Sequence, residues 1–243
     1  MGEILETLRE ALQQAKSVAV LTGAGISAES GIPTFRGPGG LWRNYSPQEL
    51  ATPEAFARDP RLVWEWYDWR RGLIAKAQAN AGHLALAGLE RQIAQVGGRF
   101  TLVTQNVDGL HDRAGSRNIR KLHGDIWLLR CVGCGREERN EQVPLTALPP
   151  RCTCGGLLRP GVVWFGEPLP LEEWGRAVQA SRNAEIFLAI GTSAVVYPAA
   201  GLMEVAKEAG ARLAVVNAEP TPFDADADWI LTGRAGEILP RLL

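Results

Sequence analysis

Val18-Ala19-Val20-Leu21 runs without a polar side chain into Thr22-Gly23-Ala24-Gly25-Ile26-Ser27-Ala28. Ile4, Leu5, Leu8, Leu12 and Ala15 precede it at helical spacing, so the order reads helix, buried strand, glycine turn. The Gly-x-Gly-x-x-Ala spacing lets the backbone turn tightly and bring N–H groups close to a pyrophosphate. Taken alone, the same residues suit an ordinary strand-to-helix turn equally well. Working outward, similar apolar runs occur at 100–103, 186–190, 213–216 and 229–231, with helical stretches such as 202–209 between several of them. Strands alternating with helices predict an α/β fold built on a doubly wound, mainly parallel sheet. Gly191-Thr192-Ser193 closes one of these runs and Asn217 another, which puts both at the sheet edge where such folds bind ligands. Thr104-Gln105-Asn106 ends the second run, where an ordinary dehydrogenase carries a ribose-binding carboxylate, so that class is disfavoured.

Two segments break the rhythm. One spans 33–79 and carries Phe35, Trp42, Tyr45, Phe56, Trp64, Trp66, Tyr67 and Trp69; the other spans 124–160 and holds every cysteine. Both are expected to leave the sheet and return as a smaller module, with a cleft at the join. The expected division is a large part of 1–32, 80–123 and 161–243 and a small part of 33–79 and 124–160, together one unit over 1–243.

The cysteines are spaced Cys131-x-x-Cys134 and, after 17 residues, Cys152-x-Cys154. Two chelating turns at that separation suit one tetrahedral zinc. Four thiolate ligands leave no open position, so the metal is expected to stabilise the fold and not to activate water. Reduced core thiols or a redox dithiol fit the tight clustering less well. With 26 basic and 27 acidic residues, the chain has no field that would draw it to nucleic acid or membrane. Arg130, Arg136 and Arg139 near the cysteines are offset by Glu137, Glu138 and Glu141, so direct nucleic-acid binding is not expected. Charged residues interrupt the first thirty positions and no apolar run reaches membrane length, so the chain reads as cytoplasmic.

Only His83, His111 and His123 are available as imidazole bases, and spacing alone does not choose among them. Gln105-Asn106-Val107-Asp108 and His123-Gly124-Asp125 each follow an apolar stretch, the position where doubly wound enzymes keep their chemistry. Asn106 and Asp108 also suit turns in which the side chain bonds its own backbone.

Gly-Ala-Gly-Ile-Ser at 23–27, Gly-Ile-Pro-Thr-Phe-Arg at 31–36, Gln-Asn-Val-Asp at 105–108, Leu-His-Gly-Asp at 122–125, the cysteine pairs, Val-Val-Trp-Phe-Gly-Glu at 162–167 and Gly-Thr-Ser at 191–193 occur in one order. In that order the chain resembles the sirtuins, NAD-dependent protein lysine deacylases, over essentially its whole length. The resemblance implies NAD as a consumed co-substrate, one structural zinc, and acyl-lysine proteins or peptides as partners. It implies that Gly23, Ala24, Gly25, Ile26, Ser27, Phe35 and Arg36 form the loop over NAD. Gln105, Asn106, Val107 and Asp108 would line the nicotinamide and ribose pocket, and Gly191, Thr192, Ser193 and Asn217 the adenosine half. Ala235 would contact adenine through its backbone. It further implies a catalytic set of His123, Asn106 and Asp108, with His123 as general base. Val163, Phe165 and Gly166 would meet the substrate backbone by strand addition. The second cysteine pair departs from the commoner family pattern in having one intervening residue in place of two.

Asp59-Pro60 predicts a helix start, which puts Tyr67 and Arg70 three apart on one face. Tyr-x-x-Arg here resembles the sirtuin class that accepts acidic acyl groups such as succinyl and malonyl, with acetyl accepted to some degree. An arginine fork pairs with a carboxylate that a neutral acetyl group lacks. Arg70 could instead neutralise Asp68 or Glu65 while Tyr67 packs with the tryptophans. The rival functions are an NAD-dependent protein ADP-ribosyltransferase, which uses the same ribose carbon, and a non-catalytic NAD sensor.

Overall fold

The computed structural model describes residues 2–34 and 45–243. Phe35 and Arg36, expected over the nucleotide, lie outside the described residues.

Six strands form one parallel sheet in the order β3-β2-β1-β7-β8-β9: β1 (Ser17–Thr22), β2 (Arg99–Thr104), β3 (Ile119–Lys121), β7 (Ile186–Ile190), β8 (Arg212–Asn217) and β9 (Trp229–Thr232). Alternation along β1 shows why these residues make a two-sided sheet. Val18 and Val20 pack with Leu5, Leu8 and Leu12 of the helix Gly2–Gln14 and with Leu86 and Leu89 of the helix Ala81–Gln95. Ala19 and Leu21 point the other way, into Ala177 of the helix Leu171–Arg182 and Leu202 and Met203 of the helix Gly201–Glu208. The apolar runs read from the sequence are all strands. The edge strand β3 went unread, because Ile119, Arg120 and Lys121 are only half-buried and show no apolar run.

β1 has β2 on one side and β7 on the other, so the chain's direction of travel across the sheet reverses between β1 and β7. Thr22 is level with Thr104 and with Ile190, and Ile190 with Val216, which brings the loops after all four strands to one edge.

The remaining strands, β4 (Gly124–Cys131), β5 (Glu137–Arg139) and β6 (Leu158–Val162), make an antiparallel sheet in the order β5-β4-β6. It shares a hydrophobic cluster with the helices Pro47–Leu50, Pro53–Arg58 and Pro60–Lys76. Asp59 caps the last of these as expected, accepting the Leu62 N–H at 2.9 Å with Pro60 in the first turn. The helix is tied to the small sheet by Trp64 Nε1, which donates to the Leu158 carbonyl at 2.7 Å. Arg71 Nη2 adds a bond to the Asn140 carbonyl at 2.6 Å. Among the described residues, no helix is long and apolar enough to cross a membrane.

Candidate active site

The loops after β1 and β7 touch. Gly23 N–H donates to the Ile190 carbonyl at 3.1 Å and Gly25 N–H to the Gly191 carbonyl at 2.8 Å. A Cβ on Gly23 would meet the Gly191 oxygen at 2.7 Å, and one on Gly25 the Gly191 Cα at 2.8 Å. Glycine is therefore required for loop-to-loop contact as well as for any ligand's approach. Gly191 itself has φ 58°, in the left-handed region. Ile26 departs from the expected loop role: its side chain is fully buried in the core beneath the sheet edge and does not line the cleft.

Between this edge and the small sheet with its helices lies a cleft of about 1240 Å³. Gly23, Ala24, Gly25 and Ser27 line one wall, followed by Gln105, Asn106, Val107 and Asp108. Gly191, Thr192, Ser193, Asn217 and Ala235 line the far end. Tyr67, Arg70, Val163, Phe165 and Gly166 face them from the other side, and His123 sits where the two sides meet.

His123 lies between β3 and β4. Its carbonyl accepts the Val163 N–H at 2.9 Å, and the Leu122 N–H donates to the Thr104 carbonyl at 3.0 Å, so backbone bonds hold it on both flanks. Nδ1 lies 3.0 Å from the Gln105 carbonyl oxygen, which can only accept. The proton is therefore assigned to Nδ1, and Nε2 keeps its lone pair. Burial pulls the imidazole pKa below the ordinary value, against the Gln105 carbonyl that raises it. Such a ring is neutral at pH 7 and ready to accept a proton.

Asp108 makes the turn that its position allowed and a second bond to the glycine loop. Oδ1 accepts the Leu110 N–H at 2.8 Å, an Asx turn that starts the short helix Leu110–Arg113, and Oδ2 accepts the Ser27 hydroxyl at 2.8 Å. Burial raises its pKa, opposed by those two bonds. Asn106 Nδ2 donates to the Gly23 carbonyl at 3.0 Å and to Ser27 Oγ at 3.2 Å, fastening the strand-end loop to the glycine loop. Gln105 Nε2 reaches Thr192 Oγ1 at 3.1 Å.

The other two histidines stand behind this wall. His83 Nε2 is 3.4 Å from Ser27 Oγ, His111 Nε2 is 3.0 Å from Thr22 Oγ1, and the two rings lie 4.8 Å apart. Burial depresses them to about 4 and about 3, so both are neutral supports of the loop floor. Spacing offered no signal for either contact, since the partners are 56 and 89 positions apart. Trp164 and Glu167 of the 162–167 stretch also line the cleft, and so does Glu29, which no sequence motif marked. Glu29 Oε2 accepts the Gly236 N–H at 2.7 Å, joining the glycine loop to the last loop beside Ala235.

Tyr67 and Arg70 are both buried, on one helix face, and both border the cleft. Arg70 Cζ is 4.8 Å from the Trp66 ring centroid and 5.7 Å from that of Tyr67. Burial lowers the guanidinium pKa, opposed by Tyr67 and Asp108 nearby. A desolvated cation of this kind favours an anion beside it.

The cysteines converge away from the cleft. The Sγ atoms of Cys131, Cys134, Cys152 and Cys154 lie within 4.8 Å of one another, with Cys131 to Cys154 at 3.5 Å and Cys134 to Cys152 at 3.8 Å. A tetrahedron with metal–sulfur bonds of about 2.3 Å has sulfurs about 3.8 Å apart, so the single-residue spacing of the second pair still fits zinc. None of the four borders the cleft, and the site accordingly suits a structural metal.

Residues 23–198 match the Sir2 family. A protein of Aquifex aeolicus named NAD-dependent protein deacylase is 59% identical over 227 residues, covering 93% of each chain. NAD-dependent protein deacylase 2 of Pyrobaculum aerophilum is 56% identical over 96% of this chain and 92% of its own. A solved Sir2 homologue in complex with NAD superposes with a TM-score of 0.91 at 48% identity, covering 98% of this chain and 91% of that one. A Sir2 protein solved with a p53 peptide and NAD+ gives 0.87 at 34% identity, over 98% and 96% of the two chains. Likeness of this extent in sequence and in backbone establishes that the chain belongs to the Sir2 family.

Proposed function

We propose that the protein is an NAD-dependent protein lysine deacylase that favours succinyl and malonyl groups and accepts acetyl to some degree, releasing nicotinamide and O-acyl-ADP-ribose. The deacylase part rests on the named relatives and on the NAD and peptide complexes of the solved ones. The acyl preference rests on one observation, a buried guanidinium and a buried phenol side by side at the cleft wall. NAD supplies an electrophilic ribose carbon and a leaving nicotinamide.

In this reading Asn106 and Asp108, locked to Ser27 and Gly23, hold the pocket for the nicotinamide and its ribose with Gln105 and Val107. Gly23, Ala24, Gly25 and Ser27 cover the nucleotide. Gly191, Thr192, Ser193 and Asn217 hold the adenosine half, and Ala235 meets the adenine through its backbone. His123 Nε2 takes the proton from a ribose hydroxyl while Nδ1–H stays on the Gln105 carbonyl, so the base is oriented before substrate arrives. Val163, Phe165 and Gly166 meet the peptide backbone, and Tyr67 and Arg70 the acyl terminus. Cys131, Cys134, Cys152 and Cys154 hold zinc as a clamp on the small sheet.

The division into a large part of 1–32, 80–123 and 161–243 and a small part of 33–79 and 124–160, with 124–160 holding the zinc, is part of the same proposal. The separate hydrophobic cluster of the small part supports it, with Ile32, Leu110, Val162 and Trp164 straddling the join. A cytoplasmic location suits thiols that must stay reduced to bind metal.

The test is NAD-dependent turnover of matched succinyl-lysine and acetyl-lysine peptides by wild type and Arg70→Met, with products weighed by mass spectrometry. Wild type should prefer succinyl, and Arg70→Met should lose about ten- to a hundredfold on succinyl while keeping deacetylation. ADP-ribose attached to protein in place of acyl-ADP-ribose would favour the transferase, and no turnover of either peptide would favour the sensor.

A further inference from the structure

Tyr67 can meet an acidic acyl group only if its hydroxyl hydrogen points at it. A phenol oxygen both donates and accepts, so the side chain by itself has no fixed sense. Its partner decides. Trp164 Nε1 lies 3.0 Å from Tyr67 Oη, and an indole N–H is a donor only, so the phenol oxygen must accept at this contact. The phenolic hydrogen prefers the ring plane, where it has two positions flanking the C–O bond. With the indole on the accepting side, the hydrogen is turned to the other. Both residues border the cleft, and the contact joins positions 97 apart in the chain.

The indole has little freedom to let go. Arg159 Cζ stacks 3.4 Å from the centroid of the Trp164 ring, and Phe56 packs at 5.4 Å. Arg159 in turn is held by Glu167, at 2.5 Å and 2.8 Å through its two terminal nitrogens, and by the Val162 carbonyl at 3.0 Å. Glu167 Oε2 also accepts the Trp164 backbone N–H at 2.8 Å. Tyr67 is held from its own side by the edge of Trp66, 4.7 Å between centroids. Burial raises the Tyr67 pKa, so the phenol keeps its hydrogen at neutral pH.

The geometry points to Trp164 as a specificity-determining residue that acts through Tyr67: its indole N–H fixes the phenol as a donor toward the cleft, for the terminal carboxylate of the acyl group. This rests on the acidic-acyl reading above and adds to it the reason why the tyrosine donates. Trp164 is a positioning residue, since it need not touch the substrate.

The experiment compares kcat/KM for succinyl-lysine and acetyl-lysine peptides at saturating NAD in wild type, Trp164→Phe, Tyr67→Phe and the double variant. A companion variant carries 3-benzothienylalanine at 164, which keeps the indole shape and replaces its N–H by sulfur. Either change at 164 should lower the succinyl-to-acetyl ratio of kcat/KM about tenfold, chiefly through the succinyl KM. In the Tyr67→Phe background the same change should cost nothing further, because there is no hydroxyl left to orient. An unchanged succinyl-to-acetyl ratio, an equal fall on both peptides, or additive losses in the double variant would each overturn the proposal. If Trp164→Phe does not fold, the benzothienyl variant decides alone. A wild type without succinyl preference would instead overturn the acyl reading itself, and this proposal with it.

Discussion

The two walls of the cleft are built differently. On the parallel-sheet side, the groups facing the cleft are strand-end loops fastened by main-chain bonds, such as Gly23 on Ile190 and Gly25 on Gly191, and by short polar side chains, such as Ser27 on Asp108. On the side of the antiparallel sheet, the contacts are made by long side chains reaching distant segments: Trp164 to the Tyr67 hydroxyl, Trp64 to the Leu158 carbonyl, Arg71 to the Asn140 carbonyl. The first wall is backed by a six-stranded parallel sheet, while the second has, among the described residues, a three-stranded sheet, three helices and four cysteines. The nucleotide wall should therefore tolerate damage to the acyl wall better than the reverse.

Metal removal tests this most severely. Chelation, or Cys134→Ser, should unfold the small sheet and abolish deacylation, since apparent binding energies of structural zinc in small modules are about 10–16 kcal/mol. NAD binding measured by calorimetry should weaken far less, and equal loss of both would erase the distinction between the walls. Next in size is His123→Ala, at the meeting of the walls, expected to lower kcat by about 10²–10⁴-fold with NAD binding intact. Wild type carries a matching pH signature. The His123 pKa is depressed by burial, and if His123 is the proposed base its neutral form is the one that works. Activity should hold down to below the ordinary imidazole value of about 6.5 and fall as protonation proceeds under it. A limb above that value would contradict the assignment. The smallest effect is on the second wall alone. Asp59→Ala removes the cap of the helix that carries Tyr67 and Arg70, costing about 1 kcal/mol of stability in thermal melts and leaving NAD affinity unchanged.

The same contrast explains what was legible beforehand. Apolar runs, the glycine spacing and the cysteine quartet are local patterns, and the five strands, the loop contact and the thiol cluster follow from them. The Asp59 cap is local too, and it starts the helix where expected. β3 escaped because an edge strand of half-buried residues has no pattern to read. Ile26 turns its side chain into the core; a motif marks positions without marking which side chain turns inward. His83 and His111 could not be placed, since each finds its partner only through the fold.

For this chain, residue order alone determined the parallel α/β sheet, the glycine loop at its edge, the cysteine quartet and the shared helix face of Tyr67 and Arg70. These depend on periodicity and spacing over a few residues, which the backbone's local geometry converts directly into structure. Only the tertiary structure decided that His123 keeps its lone pair on Nε2, that Asp108 is tied to Ser27, and that Trp164 meets Tyr67. Those are directional bonds between groups as much as 97 positions apart. Their donors and acceptors acquire a sense only when packing brings the partners within reach.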